Sequence, residues 1–224
     1  MARILGTNAA EFLNGTSERD WLFGLDGNDH IQNGPGRDVL CGGAGHDFAV
    51  YSDLNGPVWV NLTGGNARSV AQDVFRSIES AVGTSFNDVM IGSNATNVLS
   101  GGDGGDWLFA SLGDDVVQGG RGDDYLKGGC GFGDDVLDGG EGNDFITSGW
   151  WSGETDTIVF ASGGGEDVVE FFNVESDQLA LEGLLAEQLA VTDYDTGTLV
   201  HAATGESIFL IGVHDVAVGD LILV

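Results

Sequence analysis

"LSGGDGGDWLFASLGDDVVQGGRGDDYLKGG", residues 99–129, keeps returning to paired glycine, then an acid, then a bulky apolar residue. Glycine loses more backbone freedom on folding than any other residue, and neighbouring acids repel each other. Both unfavourable features recur together at a fixed interval of nine. Set in that frame, the stretch reads GGDGGDWLF (101–109), ASLGDDVVQ (110–118) and GGRGDDYLK (119–127).

The frame extends both ways. Upstream lie GTSFNDVMI (83–91) and GSNATNVLS (92–100); downstream lie GGCGFGDDVLD (128–138), with two extra residues, and GGEGNDFIT (139–147). An earlier block reads GTNAAEFLN (6–14), GTSERDWLF (15–23), GLDGNDHIQ (24–32), NGPGRDVLC (33–41) and GGAGHDFAV (42–50). A 32-residue interruption, 51–82, separates the blocks. Of the twelve units, ten carry Asp at position six (Glu11 and Asn97 are the exceptions), and all twelve are apolar at position eight.

Nine residues are too few for a helix and a return. Three of them, with one inward apolar side chain, make a minimal strand, and six rich in Gly and Asp make a turn. Two units complete an 18-residue coil, so stacked coils form two parallel sheets with position eight meeting between them. The fold expected is all-β, a right-handed solenoid of nonapeptide half-turns. Such stacking sets position six of each unit beside that of the next unit but one. It pairs Asp20 with Asp38, Asp29 with Asp47, Asp88 with Asp106, Asp106 with Asp124, Asp115 with Asp135 and Asp124 with Asp144. Glu11 with Asp29 and Asn97 with Asp115 are weaker versions. Stacked carboxylates repel unless a cation joins them. Calcium suits: it takes six to eight oxygens in flexible geometry, and glycine turns expose carbonyls. Zinc would call for His and Cys, which are scarce.

Composition agrees. The 224 residues hold 36 acids against 7 Lys and Arg, a formal charge of -29, which repels nucleic acid and anionic membranes and attracts cations. Yet 42% of residues are apolar, enough for a core, and glycine numbers 39 against only 2 prolines. No run of eighteen apolar residues predicts a membrane span, and the N-terminal MARILGTNAAEF has no apolar signal-peptide region. Cys41 and Cys130 allow one disulfide at most; both are read as turn or strand-edge residues.

The units closely resemble the RTX nonapeptide, G-G-x-G-x-D-x-U-x with U a large apolar residue. The resemblance implies a parallel β-roll with Ca2+ held between successive turns, by Asp20, Asp29, Asp38, Asp47, Asp88, Asp106, Asp115, Asp124, Asp135 and Asp144. "DTIVFASGGGEDVVEFFNVESDQLALEG" (156–183) is similar to the closing segment of serralysin-type β-rolls, which adds Asp156 and Asp167. The C-terminal "DLILV" is similar to the uncleaved type I secretion signal of this family, which implies type I export machinery as a partner and an extracellular location. The expected organisation is a first repeat block at 1–50, then a spacer at 51–82 continuing the roll as wider coils. The second block and its degenerate end follow at 83–170, and a short-stranded C-terminal cap at 171–224. The resemblance implies folding driven by calcium and a structural or adhesive extracellular role.

No H-E-x-x-H, G-x-S-x-G, P-loop or EF-hand loop is present, so no enzyme is expected. His30 and His46 read as solvated. Trp107, Tyr125 and Phe145 share position seven in alternate units, with Phe109 nearby, and should line up on the outside of one sheet. They pack across strands or form a ligand face. The second reading resembles the non-catalytic, carbohydrate-binding repeat modules of alginate epimerases, with extracellular polysaccharide or a cell surface as partner.

Overall fold

A computed structural model of the chain describes residues 1–68, 72–129, 132–149, 154–217 and 220. No α-helix occurs among them. The strands form two sheets, one of fourteen strands and one of nine. Successive units alternate between the sheets, and within each sheet every repeat strand pairs in parallel with the strand one full coil away.

Register follows position eight. In the longer sheet Met90 stands beside Leu108, Leu108 beside Leu126 and Leu126 beside Ile146. In the shorter sheet Leu13, Ile31, Ala49, Ala81, Leu99, Val117, Leu137, Ile158 and Leu179 form one continuous row. Leu13, at the open end, keeps 7% of its surface; the other eleven position-eight residues keep none. Each coil therefore buries its apolar side chains only because another coil lies on it, and each such leucine is worth about 1.5–3 kcal/mol. Glycine is needed where the coils touch backbone to backbone. Gly120 sits at φ +116 and Gly140 at +100, and a Cβ on either would collide with the carbonyl of the glycine one coil earlier, Gly102 or Gly120.

The spacer departs from the wider coils expected of it. Trp59–Asn61, Asn66–Arg68 and Gln72–Arg76 form an antiparallel meander inserted in the longer sheet, between Val39–Ala44 and Val89–Ile91. The alternation of Val58, Val60 and Leu62 belongs to a hairpin strand, and Gly65 at φ +62 follows it in the turn. In the shorter sheet Phe48–Val50 pairs directly with Ser80–Val82, which pairs with Val98–Asp103. The longer sheet thus crosses the interruption with two more strands than the shorter one. At about 4.8 Å per strand this is a wedge about 10 Å wide at its open side. Tyr51, Leu54, Val58 and Phe75 are buried in it.

At the other end Ser207–Ile211 adds in parallel to Glu166–Glu170, and Gly197–Ala202 and Leu189–Tyr194 follow antiparallel. Leu184, Val213 and Val216 extend the core there. Cys41 is not at a turn or strand edge: it lies within Val39–Ala44, paired with Phe23 and Arg76. Cys130, and the "DLILV" reading from residue 221 onward, fall outside the described residues.

Candidate calcium sites

The turns bring the position-six side chains into two columns, one along each edge of the roll. All twelve Asp residues singled out from the sequence are 5% exposed or less. Each is linked to its neighbour in one repeated way: the backbone N–H of one position-six residue donates to Oδ1 of the residue one coil later. Along the longer sheet Asp20 donates to Asp38, Asp88 to Asp106, Asp106 to Asp124, and Asp124 to Asp144, all at 2.7–2.8 Å. Asp144 donates to Asp167 at 3.0 Å. Along the shorter sheet Glu11 donates to Asp29, Asp29 to Asp47, Asn97 to Asp115, Asp115 to Asp135 and Asp135 to Asp156. Every pair expected from the spacing is thus adjacent.

One oxygen of each carboxylate is used by this bond. The other, Oδ2, is buried without any hydrogen-bond donor from the protein in Asp29, Asp38, Asp47, Asp106, Asp115, Asp124 and Asp144. Carbonyls point at the same places. A Cβ on Gly119 would collide with both Asp124 Oδ2 and the Gly139 carbonyl; on Gly101 it would meet Asp106 Oδ2 and, at 2.7 Å, the Gly119 carbonyl. Carboxylate and carbonyl oxygens from adjacent coils therefore converge on one small volume, the donor chemistry of a hard cation. Among the described residues no cluster of three or more His, Cys, Asp or Glu side chains could hold a metal. A cation in these turns would draw its ligands from one or two carboxylates and from backbone carbonyls.

The electrostatics agree. Burial, with neighbouring carboxylates adding to it, pushes Asp38, Asp106, Asp124, Asp156 and Asp167 up to about 7. It takes Asp115 to about 7, Asp135 to about 8 and Asp144 to about 6. Asp29, Asp47 and Asp88 also rise, chiefly through burial. Asp20 differs: burial raises it, but the Thr16 hydroxyl and the N–H groups of Thr16 and Ala2 outweigh that and hold it low.

Three members of the columns were missed. Asp73 accepts the Asp38 N–H, Glu79 that of Asp47 and Asp177 that of Asp156. None sits in a glycine-rich nonapeptide. Each does stand two residues before a buried apolar residue, in Asp73-Val74-Phe75, Glu79-Ser80-Ala81 and Asp177-Gln178-Leu179. The triplet acid-x-apolar, without the glycines, was the signal that would have found them.

On the outer face of the longer sheet, Trp107 and Tyr125 rings lie 5.3 Å apart and Tyr125 and Phe145 5.5 Å apart, with Phe109 5.8 Å from Tyr125. Trp107 is 56% exposed. His30 is not simply solvated: its ring lies between Phe12 at 4.8 Å and Phe48 at 4.5 Å. The His46 ring nitrogen Nε2 meets the Ser80 hydroxyl.

A parallel β-roll with two columns of buried carboxylates, each backed by carbonyls, defines a cation-binding repeat scaffold. The sequence matches the RTX calcium-binding nonapeptide repeat (4 copies) at residues 5–40, 14–49, 82–117, 100–129 and 131–150, together about half of the chain. The chain belongs to this RTX family of calcium-binding repeats. No curated protein matches it. Among solved structures it is similar to the extracellular lipase LipA from Serratia marcescens, at 18% identity and a TM-score of 0.39. The alignment covers 99% of this chain, which spans 40% of the length of that lipase.

Proposed function

We propose that the chain is a calcium-loaded structural module whose folding is completed by the ions, acting outside the cell after type I export. The observation that carries this is the set of seven buried aspartate oxygens that, among the described residues, have no protein donor. An ionised carboxylate left so costs several kcal/mol, and a calcium ion between coils removes that cost. When bound, calcium supplies charge neutralisation and a cross-link between turns. The residues that would hold it are the aspartates whose Oδ2 has no protein donor, Asp29, Asp38, Asp47, Asp106, Asp115, Asp124 and Asp144, with the backbone carbonyls that face them. The extended chain offers no such cradle, so the binding free energy is folding free energy. With a charge of -29 the ion-free chain is disfavoured as a compact body. Calcium is scarce in cytosol and plentiful outside, which suits a chain that folds after export. Titrating calcium into chelated protein, followed by circular dichroism, should show β-structure rising with the ion; a chain equally structured in chelator would refute the proposal.

A second reading has its own observation. Trp107 is exposed, and the half-buried Tyr125 and Phe145 rings, stacked within 3° of parallel, continue its row as a surface on which sugar rings could stack. It would make the module a non-catalytic carbohydrate-binding face. Binding to a glycan array that Trp107→Ala abolishes would support this; an array with no hits would reject it.

A further inference from the structure

In eleven of the twelve units, all but the eleven-residue one that carries Asp135, the side chain at position six has one of two fates, and position two of the same unit separates them. In the seven units whose Oδ2 has no donor among the described residues, the residue at position two sits at positive φ. Five of these are glycines: Gly34, Gly43, Gly102, Gly120 and Gly140. The other two, Leu25 at +88 and Ser111 at +97, adopt the same conformation against the preference of their Cβ. In four other units position two is Thr or Ser at ordinary φ, and its N–H turns onto the position-six side chain. Thr16 N–H donates to Asp20 Oδ2 at 2.7 Å and its hydroxyl at 2.6 Å. Thr84 donates its N–H to Asp88 Oδ2 at 2.6 Å and its hydroxyl to Oδ1 at 3.0 Å. Ser93 N–H reaches Asn97 Oδ1 at 2.6 Å, and Thr7 N–H reaches Glu11.

We infer that position two decides whether a turn takes an ion, and that the Gly-Thr and Gly-Ser turns closing on Glu11, Asp20, Asp88 and Asn97 are ion-free caps. This rests on the calcium reading above. It also removes Asp20 and Asp88 from the ligands expected from the sequence. Backbone direction explains the split: φ at position two sets whether its N–H faces the following loop. At ordinary φ a neutral donor occupies the oxygen that an ion would otherwise bind. Placement gives an independent argument. A six- to eight-oxygen cation needs a turn on each side. Glu11 and Asp20 open the first block, and Asp88 and Asn97 open the second, next to the wedge. The shorter column ends the same way, with Asp177 Oδ2 accepting the Asn173 N–H. The caps therefore stand where the regular stack begins or ends. Asn97 fits the scheme, since a neutral amide suffices where no cation is held. The strain kept at Leu25 and Ser111 fits too, because it holds those turns open.

Native mass spectrometry of the whole chain in calcium, comparing Asp20→Asn and Asp88→Asn with Asp106→Asn and Asp124→Asn, tests this. The first pair should keep the wild-type ion count, and each of the second pair should lose at least one ion. Loss of an ion from Asp20→Asn or Asp88→Asn would overturn the inference while leaving the calcium reading intact. A wild-type chain that binds no calcium would overturn both. If a variant does not fold, anomalous scattering from wild-type crystals grown with calcium decides. Ions should lie beside Asp106 and Asp124, and an ion coordinated by Asp20, Asp88 or Asn97 would sink the proposal.

Discussion

Asp73 in the spacer and Asp106 in the second block hold equivalent places in the same column, and the protein treats them in opposite ways. Each accepts a neighbour's N–H through Oδ1, from Asp38 at 2.8 Å and from Asp88 at 2.7 Å. Each is fully buried. Asp73 Oδ2 receives the Asn33 amide at 2.8 Å and the Tyr51 hydroxyl at 3.4 Å, whereas Asp106 Oδ2 receives nothing. The spacer solves the buried-carboxylate problem with side chains, and the repeat leaves it for an ion. A side-chain solution needs partners from elsewhere in the chain, here 40 and 22 residues away. An ionic solution needs only the next copy of the same turn, so it alone can be repeated along the roll.

The largest effect should come from removing calcium. In excess chelator at pH 7.5, the amides of Asp88, Asp106 and Asp124, which bond to successive carboxylates, should lose at least 100-fold of their hydrogen-exchange protection. The Asp38 amide, held by Asp73, should lose less. Equal losses at both would erase the distinction between the two regions.

Acidification should then partly restore the chelated chain. Asp38, Asp106, Asp124, Asp156 and Asp167 have folded values of about 7 against about 3.9 unfolded, so the ion-free fold binds more protons than the unfolded chain between those limits. Their contribution to the ion-free fold is complete below about pH 4 and is lost as the pH rises through 7. Circular dichroism in chelator should therefore show more β-structure at pH 5 than at pH 7.5. In calcium the dependence reverses, because protons compete for the same oxygens: the calcium midpoint should move to higher concentration as pH falls. A chelated chain indifferent to pH would contradict the burial of these groups.

Smaller effects test the side-chain solution itself. Asn33→Ala removes one donor from Asp73 and should destabilise the calcium-loaded protein by about 1–3 kcal/mol in denaturant unfolding. Tyr51→Phe, removing the longer of the two bonds, should cost about 1 kcal/mol or less. Smallest, and of opposite sign, Leu25→Gly and Ser111→Gly relieve left-handed backbone and should each stabilise the loaded protein by about 1 kcal/mol. Destabilisation by both would mean that their side chains matter more than their φ.

Much of this architecture can be read from the amino-acid order. The period of nine, the apolar eighth residue and the acidic sixth determine two parallel sheets, an interior row of position-eight residues along each, and carboxylates that meet one coil on. These are consequences of periodicity, and a repeat imposes its own neighbours. Only the tertiary structure decides what lacks a period. The spacer became an antiparallel wedge instead of wider coils because hairpin pairing of Val60 with Ala67 depends on a partner that no repeat specifies. Asp73 and Asp177 joined the columns because a strand arrived beside them, not because of a glycine motif. Which carboxylates retain an open oxygen depends on φ at position two, and Leu25 and Ser111 show why residue type alone does not report it. Their neighbours hold the backbone where their own Cβ would not choose to be.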